Sequence, residues 1–155
     1  IKLLKKRNEM SFTVYLSGEI HTEWRNEIKE GAQKNGLDIE FVSAETDHDV
    51  SDAAGDHLGD ESNPFWRDHK SAKVNAIRRK TLIEKSNLVI VRFGNEYKQW
   101  NAAFDAGYCA AQGKTYVTLH SGDIVHPLKE VDAAAMAWAT TTDQVVEILK
   151  YVTKA

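Results

Sequence analysis

The residues with the clearest chemical potential lie between positions 93 and 114. Asp105 is flanked there by apolar or small side chains, in the run AAFDAG. If this run is a helix that Asn101 caps, Asp105 lies about one turn inside it, where the helix dipole favours an ionised carboxylate. An ionised carboxylate suits a nucleophile. An acid that only complements the helix dipole is the structural alternative.

A second polar segment, YLSGEIH, occupies positions 15–21. It ends a predicted strand, and Gly18 can let the backbone pass close to a ligand because glycine has no Cβ. Glu19 and His21 add an acid and a base that titrates near neutral pH. Since many strand-to-helix turns carry glycine and polar residues, a purely structural role for His21 also fits the pattern.

An alternation of strands and helices must position these two segments. Apolar, β-rich runs predict strands at 12–17, 39–43, 87–93, 115–120 and 136–140. Apolar residues at helical spacing predict helices at 22–35, 71–85, 102–112, 126–135 and 143–152. Such alternation is typical of an α/β fold with an open parallel sheet and helices on both faces. Five strands favour the flavodoxin-like order 2-1-3-4-5.

Candidate caps mark the starts of three helices. Thr22 precedes the first helix, Asn101 precedes the third, and Thr141 or Thr142 precedes the last. A side-chain oxygen at such a position accepts a hydrogen bond from a backbone N–H that the helix itself leaves without a partner. We therefore predict that these residues are N-caps.

Positions 44–70 show no clear periodicity and contain several acids and histidines. A stretch of this length without secondary structure is often a lid or a binding loop, and we interpret it as a lid over the binding site. On the helix that follows, we expect one of Arg78 and Arg79 to face solvent. The other should reach the crevice rim or pair with a loop carboxylate.

The strand order predicts where a ligand binds. Open α/β sheets bind ligands beyond the carboxyl ends of their strands, beside the point where the order reverses. For the order 2-1-3-4-5 this crevice lies between the first and third strands, facing loops 17–21 and 94–101. Gly94 opens the second loop. Trp100 near its end can wall a base pocket, although core packing or a dimer contact explains this residue equally well.

The composition restricts the partners and the location. The 155 residues suffice for one domain with a real core. A net charge of -3 argues against a nucleic acid polymer as partner, because such binders carry a basic face. No apolar run reaches the length of a membrane span. The single cysteine, Cys109, cannot form an internal disulfide, so we expect a cytoplasmic protein and interpret Cys109 as a small buried hydrophobe.

We interpret residues 1–10, which end at Met10, as an N-terminal extension before a domain that spans 11–155. The sequence contains neither the glycine-rich dinucleotide fingerprint nor a Walker loop, so we expect no bound cofactor. The acids and histidines of 44–70 match no metal-ligand spacing, and we expect no metal ion.

The opening YLSGEI resembles the Tyr-Phe-x-Gly-x-Ile opening of 2-deoxynucleoside 5'-monophosphate N-hydrolases and nucleoside 2-deoxyribosyltransferases. The runs FDAGY and AAQGK, between 104 and 114, resemble the segment that carries a nucleophilic glutamate in those families. From about 11 to 151 the chain is similar to the YtoQ family, which is grouped with the deoxyribosyltransferases. GEIH at 18–21, YKQWN at 97–101 and HPLKE at 126–130 are the most diagnostic pieces.

This resemblance implies cleavage or transfer of an N-glycosidic bond in a 2-deoxynucleoside or its 5'-monophosphate. Asp105 takes the place of the nucleophilic glutamate and attacks C1', giving a covalent glycosyl-enzyme that water or a second base resolves. Tyr15 would align Asp105 by donating a hydrogen bond to it. The implied pocket wall comprises Gly18, Ile20, His21 and Asn101. The dimers of the related families imply a homodimer.

The chain also departs from the family pattern. Asp105 is one methylene shorter than glutamate, and 98–100 lacks the acid that the transferases carry there, Glu96 being the nearest. Asn101 replaces a glycine, and His21 replaces an arginine of the monophosphate hydrolases. These departures support an alternative, a non-catalytic nucleotide- or metabolite-binding module on the same fold. A metal-dependent enzyme that uses the acidic stretch is a second alternative.

Overall fold

A parallel five-stranded sheet lies at the centre of the computed structural model, which describes residues 11–154. The predicted extension at 1–10 lies outside the described residues. The strands are β1 (Phe12–Gly18), β2 (Ile39–Ser43), β3 (Leu88–Phe93), β4 (Tyr116–His120) and β5 (Ala137–Ala139). Their order is β2-β1-β3-β4-β5, and every neighbouring pair is parallel. The predicted flavodoxin-like order is confirmed.

Six α-helices connect the strands within residues 11–154. They are α1 (Trp24–Lys34), α2 (His48–Asp52), α3 (Pro64–Lys85), α4 (Trp100–Ala111), α5 (Lys129–Ala134) and α6 (Thr142–Val152). Short 3-10 turns lie at Asp56–Leu58 and His126–Leu128. None of the helices in this part of the chain combines the length and the apolar character needed to cross a membrane.

Each face of the sheet has its own hydrophobic core, because successive side chains of a strand point to opposite faces. Ile28 of α1 and Leu149 of α6 are fully buried against one face. Ile83 of α3 and Cys109 of α4 are fully buried against the other. Full burial of an aliphatic side chain stabilises the fold by roughly 1.5–3 kcal/mol. The alternation directs Tyr15 of β1 toward α3 and α4.

The segment 44–70 is not the long loop that its missing periodicity predicts. It contains α2, and α3 begins at Pro64 rather than at 71. Asn63 caps α3 by accepting a hydrogen bond from the backbone N of Phe65 at 3.0 Å, and proline is favourable at the first helical position. Residues 64–69 are all exposed, so this helical turn needs no apolar stripe, which is the signal that sequence analysis detects.

Two predicted helix caps are wrong. Thr22 does not cap α1, which begins at Trp24, and its hydroxyl donates instead to Glu19 Oε2 at 2.5 Å. Asn101 lies inside α4, which begins at Trp100. Residue type alone reveals neither that Thr22 has another hydrogen-bond partner nor that α4 begins one residue before Asn101.

The start of α6 is capped as predicted. Thr141 Oγ1 accepts a hydrogen bond from the backbone N of Gln144 at 3.2 Å. In return, the Gln144 side chain accepts one from the backbone N of Thr140 at 2.7 Å. This reciprocal pair resembles a capping box and satisfies two donors at the helix start.

Candidate active site

A cavity of about 430 Å³ lies beyond the carboxyl ends of β1 and β3, where the strand order reverses. Residues of α2, α3 and α4 form its walls, and we call it the Asp105 cavity after the carboxylate that lines it. Its position is that expected for ligand sites in open α/β sheets. Its volume lies within the usual range of small-molecule sites, roughly 300–1,000 Å³.

Two side chains from distant parts of the chain hold the Asp105 carboxylate. The Ser17 hydroxyl, on β1, donates a hydrogen bond to Oδ2 at 2.6 Å. Arg79 Nε, on α3, lies 2.7 Å from Oδ1 and forms an ion pair with it. Oδ1 accepts no hydrogen bond of good geometry, so the Arg79 contact is electrostatic rather than an aligned N–H···O bond. Oδ1 is thus buried without a well-aligned donor.

Burial and charge act in opposite directions on Asp105. The side chain is only 5 % exposed, and burial raises the pKa of its carboxyl because the charged form loses hydration. The Ser17 hydrogen bond and the positive charge of Arg79 both lower this pKa, but burial has the larger effect. Ser17 and Arg79 thus offset part of the free-energy cost of burying an ionised carboxylate away from water.

Tyr15 lines the Asp105 cavity, but it does not make the expected bond to the carboxylate. Its buried hydroxyl has no hydrogen-bond partner among the described residues, and Ser17 donates to Asp105 instead. Burial, followed by the charge of Asp105, raises the pKa of the Tyr15 phenol, so the group stays neutral. A buried hydroxyl without a partner costs about 1–3 kcal/mol, a cost that an acceptor atom on a ligand would remove.

Most of the other predicted pocket residues reach this cavity. Its lining includes Gly18, Ile20, His21, Trp100 and Asn101. The His21 ring packs on Tyr97, with 4.4 Å between ring centroids. The Trp100 side chain is 75 % exposed, so it is not a core residue. The predicted segments on β1 and α4 therefore meet at one site.

The structure shows a reason for glycine at position 18 that the sequence did not predict. Gly18 has φ +110°, and a Cβ there would lie 2.1 Å from the carbonyl oxygen of Arg92 on β3. Glycine is therefore required by the close approach of β1 to β3, in addition to any approach of a ligand.

Gly94 does not line the Asp105 cavity. It lines a second cavity of about 560 Å³, which we call the Arg92 cavity after its one arginine. A Cβ on Gly94 would lie 2.8 Å from Cγ of Glu19, so this glycine makes room for a protein side chain. Glu96, the nearest acid in the loop sequence, also lines the Arg92 cavity and not the Asp105 cavity.

The sequence analysis predicted that one of the two arginines on α3 reaches the crevice, but not that both do, nor that the partner of one is Asp105. Neither is directed only to solvent: both line the Asp105 cavity. Arg79 pairs with Asp105, and Arg78 Nη1 donates to the carbonyl oxygen of Ser43 at 2.7 Å. The helical pattern of 71–85 shows that these residues share a helix, but not which side of it faces α4.

Part of the segment 44–70 also contributes to the site. Glu45, His48, Ser51 and Asp52 line the Asp105 cavity from α2 and the turn before it. Within residues 11–154, no cluster of three or more His, Cys, Asp or Glu side chains could hold a metal ion. Polar residues of this segment thus form part of the cavity wall.

Cys109 lies behind the site on α4. It is fully buried, and burial raises the pKa of its thiol to about 12. A thiol in this environment is neutral and packs as a small apolar side chain, as predicted.

Sequence comparisons identify the kind of protein that this chain resembles. The family model described as "Nucleoside 2-deoxyribosyltransferase YtoQ" matches residues 15–153. The uncharacterized protein YtoQ of Bacillus subtilis (strain 168) is 41 % identical over 143 residues, which is 92 % of this chain and 97 % of that protein.

Structural comparisons agree on the fold. A conserved protein from Enterococcus faecalis V583 superimposes with a TM-score of 0.62 at 12 % identity, covering 92 % of this chain and 99 % of that one. A 2-deoxyribosyltransferase from the psychrotolerant bacterium Bacillus psychrosaccharolyticus gives a TM-score of 0.54 at 14 % identity, with coverages of 86 % and 90 %. At these identities the likeness shows the fold alone.

Proposed function

Because the chain belongs to the nucleoside 2-deoxyribosyltransferase YtoQ family, we propose that it cleaves or transfers the N-glycosidic bond of a 2-deoxynucleoside or its 5'-monophosphate. Asp105 is the proposed nucleophile. The observation that carries this proposal is a buried carboxylate, held by Ser17 and Arg79, on the wall of a cavity of about 430 Å³.

The proposed reaction has two displacements at C1'. In the first, an Asp105 oxygen forms a bond to C1' as the bond from C1' to the base nitrogen breaks. In the second, water or another base attacks C1' and the carboxylate leaves, as in retaining glycosidases. The departing base keeps the electron pair of the broken bond, and the proton lost by the attacking water or base balances its charge. Ser17 and Arg79 stabilise the charge that returns to Asp105 in this second step, since both contacts favour the ionised form.

The short side chain of aspartate is compatible with this role because α4 lies close to the sheet. Ala102 and Ala106, next to Asp105 on the same helix face, are at most 2 % exposed and pack against β3. Their small side chains let α4 approach, and Ser17 on β1 reaches Asp105 directly, at 2.6 Å. Backbone approach can thus replace the methylene that glutamate would supply.

We also propose that the active form is a homodimer. Trp100 and Phe104 are 75 % and 63 % exposed, and their spacing of four residues puts them on one face of α4. Trp100 lines the Asp105 cavity as well. A second copy covering this face would remove apolar surface from water at the mouth of the cavity.

Two observations favour the alternative of a non-catalytic binding module. Arg79 lies 2.7 Å from the carboxylate that would attack the sugar, and the loop that precedes α4 adds no acid to the Asp105 cavity. A carboxylate neutralised in this way can bind a ligand without reacting.

Base release from defined substrates separates the two functions. Purified protein is incubated with 2'-deoxynucleosides and their 5'-monophosphates, with and without a second base, and free and exchanged bases are quantified by chromatography. We expect release or exchange by the native protein and a loss of about 10⁴-fold or more in Asp105→Asn, because the nucleophile is gone.

The matched control is Asp38→Asn, which changes an exposed acid between α1 and β2. Its activity should equal that of the native protein. Undiminished base release by Asp105→Asn would refute the nucleophile. Saturable binding of a nucleoside without any base release would identify the binding module.

A further inference from the structure

The Arg92 cavity lies on the opposite side of β3 from Asp105. Leu88 and Ile90 pack in the core beneath α1 and α6, and alternation directs Arg92 to the same side. The cavity has a volume of about 560 Å³ and shares Glu19, His21 and Tyr97 with the Asp105 cavity. These three side chains therefore form a common wall between two cavities at the carboxyl edge of the sheet.

Arg92 has no partner within residues 11–154. Its Nε is buried without a hydrogen bond, and the guanidinium makes no salt bridge there. Arg92 as a whole is half-buried, but its Nε is shielded from water and lacks the partner that a buried donor normally has. Such groups are uncommon in folded proteins and call for a specific explanation.

The three hydroxyl groups of threonine and serine in the cavity lining already donate to other residues. The hydroxyl of Thr22 donates to Glu19, that of Ser121 to Asp123, and that of Thr140 to Gln144. Glu19 itself accepts from Thr22 and from the backbone N of His21. Arg92 is the only arginine or lysine of this lining, which also contains the carboxylates of Glu19 and Glu96, and neither carboxylate pairs with it.

We propose that Arg92 recognises an oxyanion, a carboxylate or phosphate group of a small molecule, in this second cavity. A guanidinium presents parallel N–H groups that match two oxygens of either anion. The surrounding hydroxyl oxygens are donors to other residues and can accept hydrogen bonds from the rest of the ligand. The proposal does not depend on the reaction at Asp105, but an occupant would touch the wall that both cavities share.

The test is a titration of the whole chain with sodium phosphate and, separately, sodium acetate, at ionic strength matched with sodium chloride. Backbone amide shifts of Gly94, Asn95 and Gly122 are followed by ¹H–¹⁵N NMR. We expect saturable shifts with at least one anion, and the tighter anion identifies the ligand group. Arg92→Gln should weaken this binding by at least about 10-fold.

Arg67→Gln is the matched control, because Arg67 is an exposed arginine on α3 that pairs with Asp56 far along the chain from this cavity. Its affinity for the anions should be unchanged. Arg92→Lys keeps the charge but loses the paired donors, so it should also bind more weakly, and it tests the proposal if the glutamine variant does not fold. Shifts that do not saturate, that chloride alone reproduces, or that persist with native affinity in either Arg92 variant would overturn the proposal.

Discussion

At the residue scale, the chemistry of the site depends on how one carboxylate is solvated. Asp105 has exchanged water for one hydroxyl donor and one cation. Desolvation raises its pKa, whereas each partner lowers it. An ordinary surface aspartate would be a weaker nucleophile because water would stabilise it, and an unpaired buried one would be protonated over a wider pH range.

Ser17→Ala tests this balance. Removing a bond that lowers the Asp105 pKa should raise that pKa further. A reaction that needs the ionised form is lost as pH falls through the pKa, so the acid side of the activity profile should move to higher pH. The ¹³C shift of the Asp105 carboxyl should titrate in the same direction. We expect kcat/KM near neutral pH to fall about 10-fold.

Ser11→Ala, at an exposed position just before β1, is the control and should leave the profile and the carboxyl titration unchanged. An acid limb in Ser17→Ala identical to that of the native protein would show that the 2.6 Å contact does not tune the carboxylate.

Cys109 provides a second prediction at this scale. Because the thiol is fully buried and its pKa is raised to about 12, the native protein should react with a thiol-specific disulfide reagent at pH 8 far more slowly than the urea-unfolded chain. The rate is read from the absorbance of the released thiolate. Equal rates in the two states would mean that α4 exposes this thiol through frequent opening.

At the element scale, the sequence predicts the sheet better than the helices. The strands β1, β3 and β4 are mostly buried and mostly apolar, so composition predicts them. The start of α3 was missed because its first residues are exposed and depend on the Asn63 cap. A helix that packs against the sheet has apolar residues at helical spacing, whereas an exposed helical turn, such as the start of α3, does not need them.

The contact between β1 and β3 leads to a prediction about Gly18. Alanine there must adopt φ +110° and place its Cβ 2.1 Å from a backbone carbonyl oxygen. Gly36 also has a positive φ, +66°, but open space around it. We expect Gly36→Ala to lower the free energy of unfolding, measured in urea, by about 1–2 kcal/mol, because of backbone strain alone. Gly18→Ala should lower it by roughly 3 kcal/mol or more, because β1 and β3 must move apart to make room for the Cβ.

An equal decrease in the free energy of unfolding in the two variants would indicate that only backbone conformation matters at position 18. The structural reason given for this glycine would then be wrong.

At the scale of the whole molecule, the candidate site joins residues that no short motif connects. Ser17 and Asp105 are 88 positions apart yet share a hydrogen bond. Strand order predicts that their elements meet at the same crevice, and family resemblance points to Asp105. Neither predicts that Arg79 completes the carboxylate's environment, since this depends on the rotation of α3 about its axis. The sequence thus predicts the position of the candidate site but not the charges around its carboxylate.

The proposed homodimer belongs to this scale, and its test uses the exposed face of α4. Phe104→Ser removes one apolar side chain of that face; Phe104 does not itself line the Asp105 cavity, but its ring lies 5.1 Å from the Arg79 guanidinium, so this variant is used to read the oligomeric state and not the activity. Trp138→Ser is the matched control, because Trp138 is 68 % exposed on the edge strand β5. By light scattering after size exclusion, we expect dimers for the native chain and for Trp138→Ser, and monomers for Phe104→Ser, since a polar side chain at the centre of an apolar interface destabilises it.

If the second copy also closes the cavity mouth, base release should fall together with dimer content on dilution. A monomeric native chain, or a Phe104→Ser variant that still dimerises, would mean that this face stays open to water and that each copy forms its site alone.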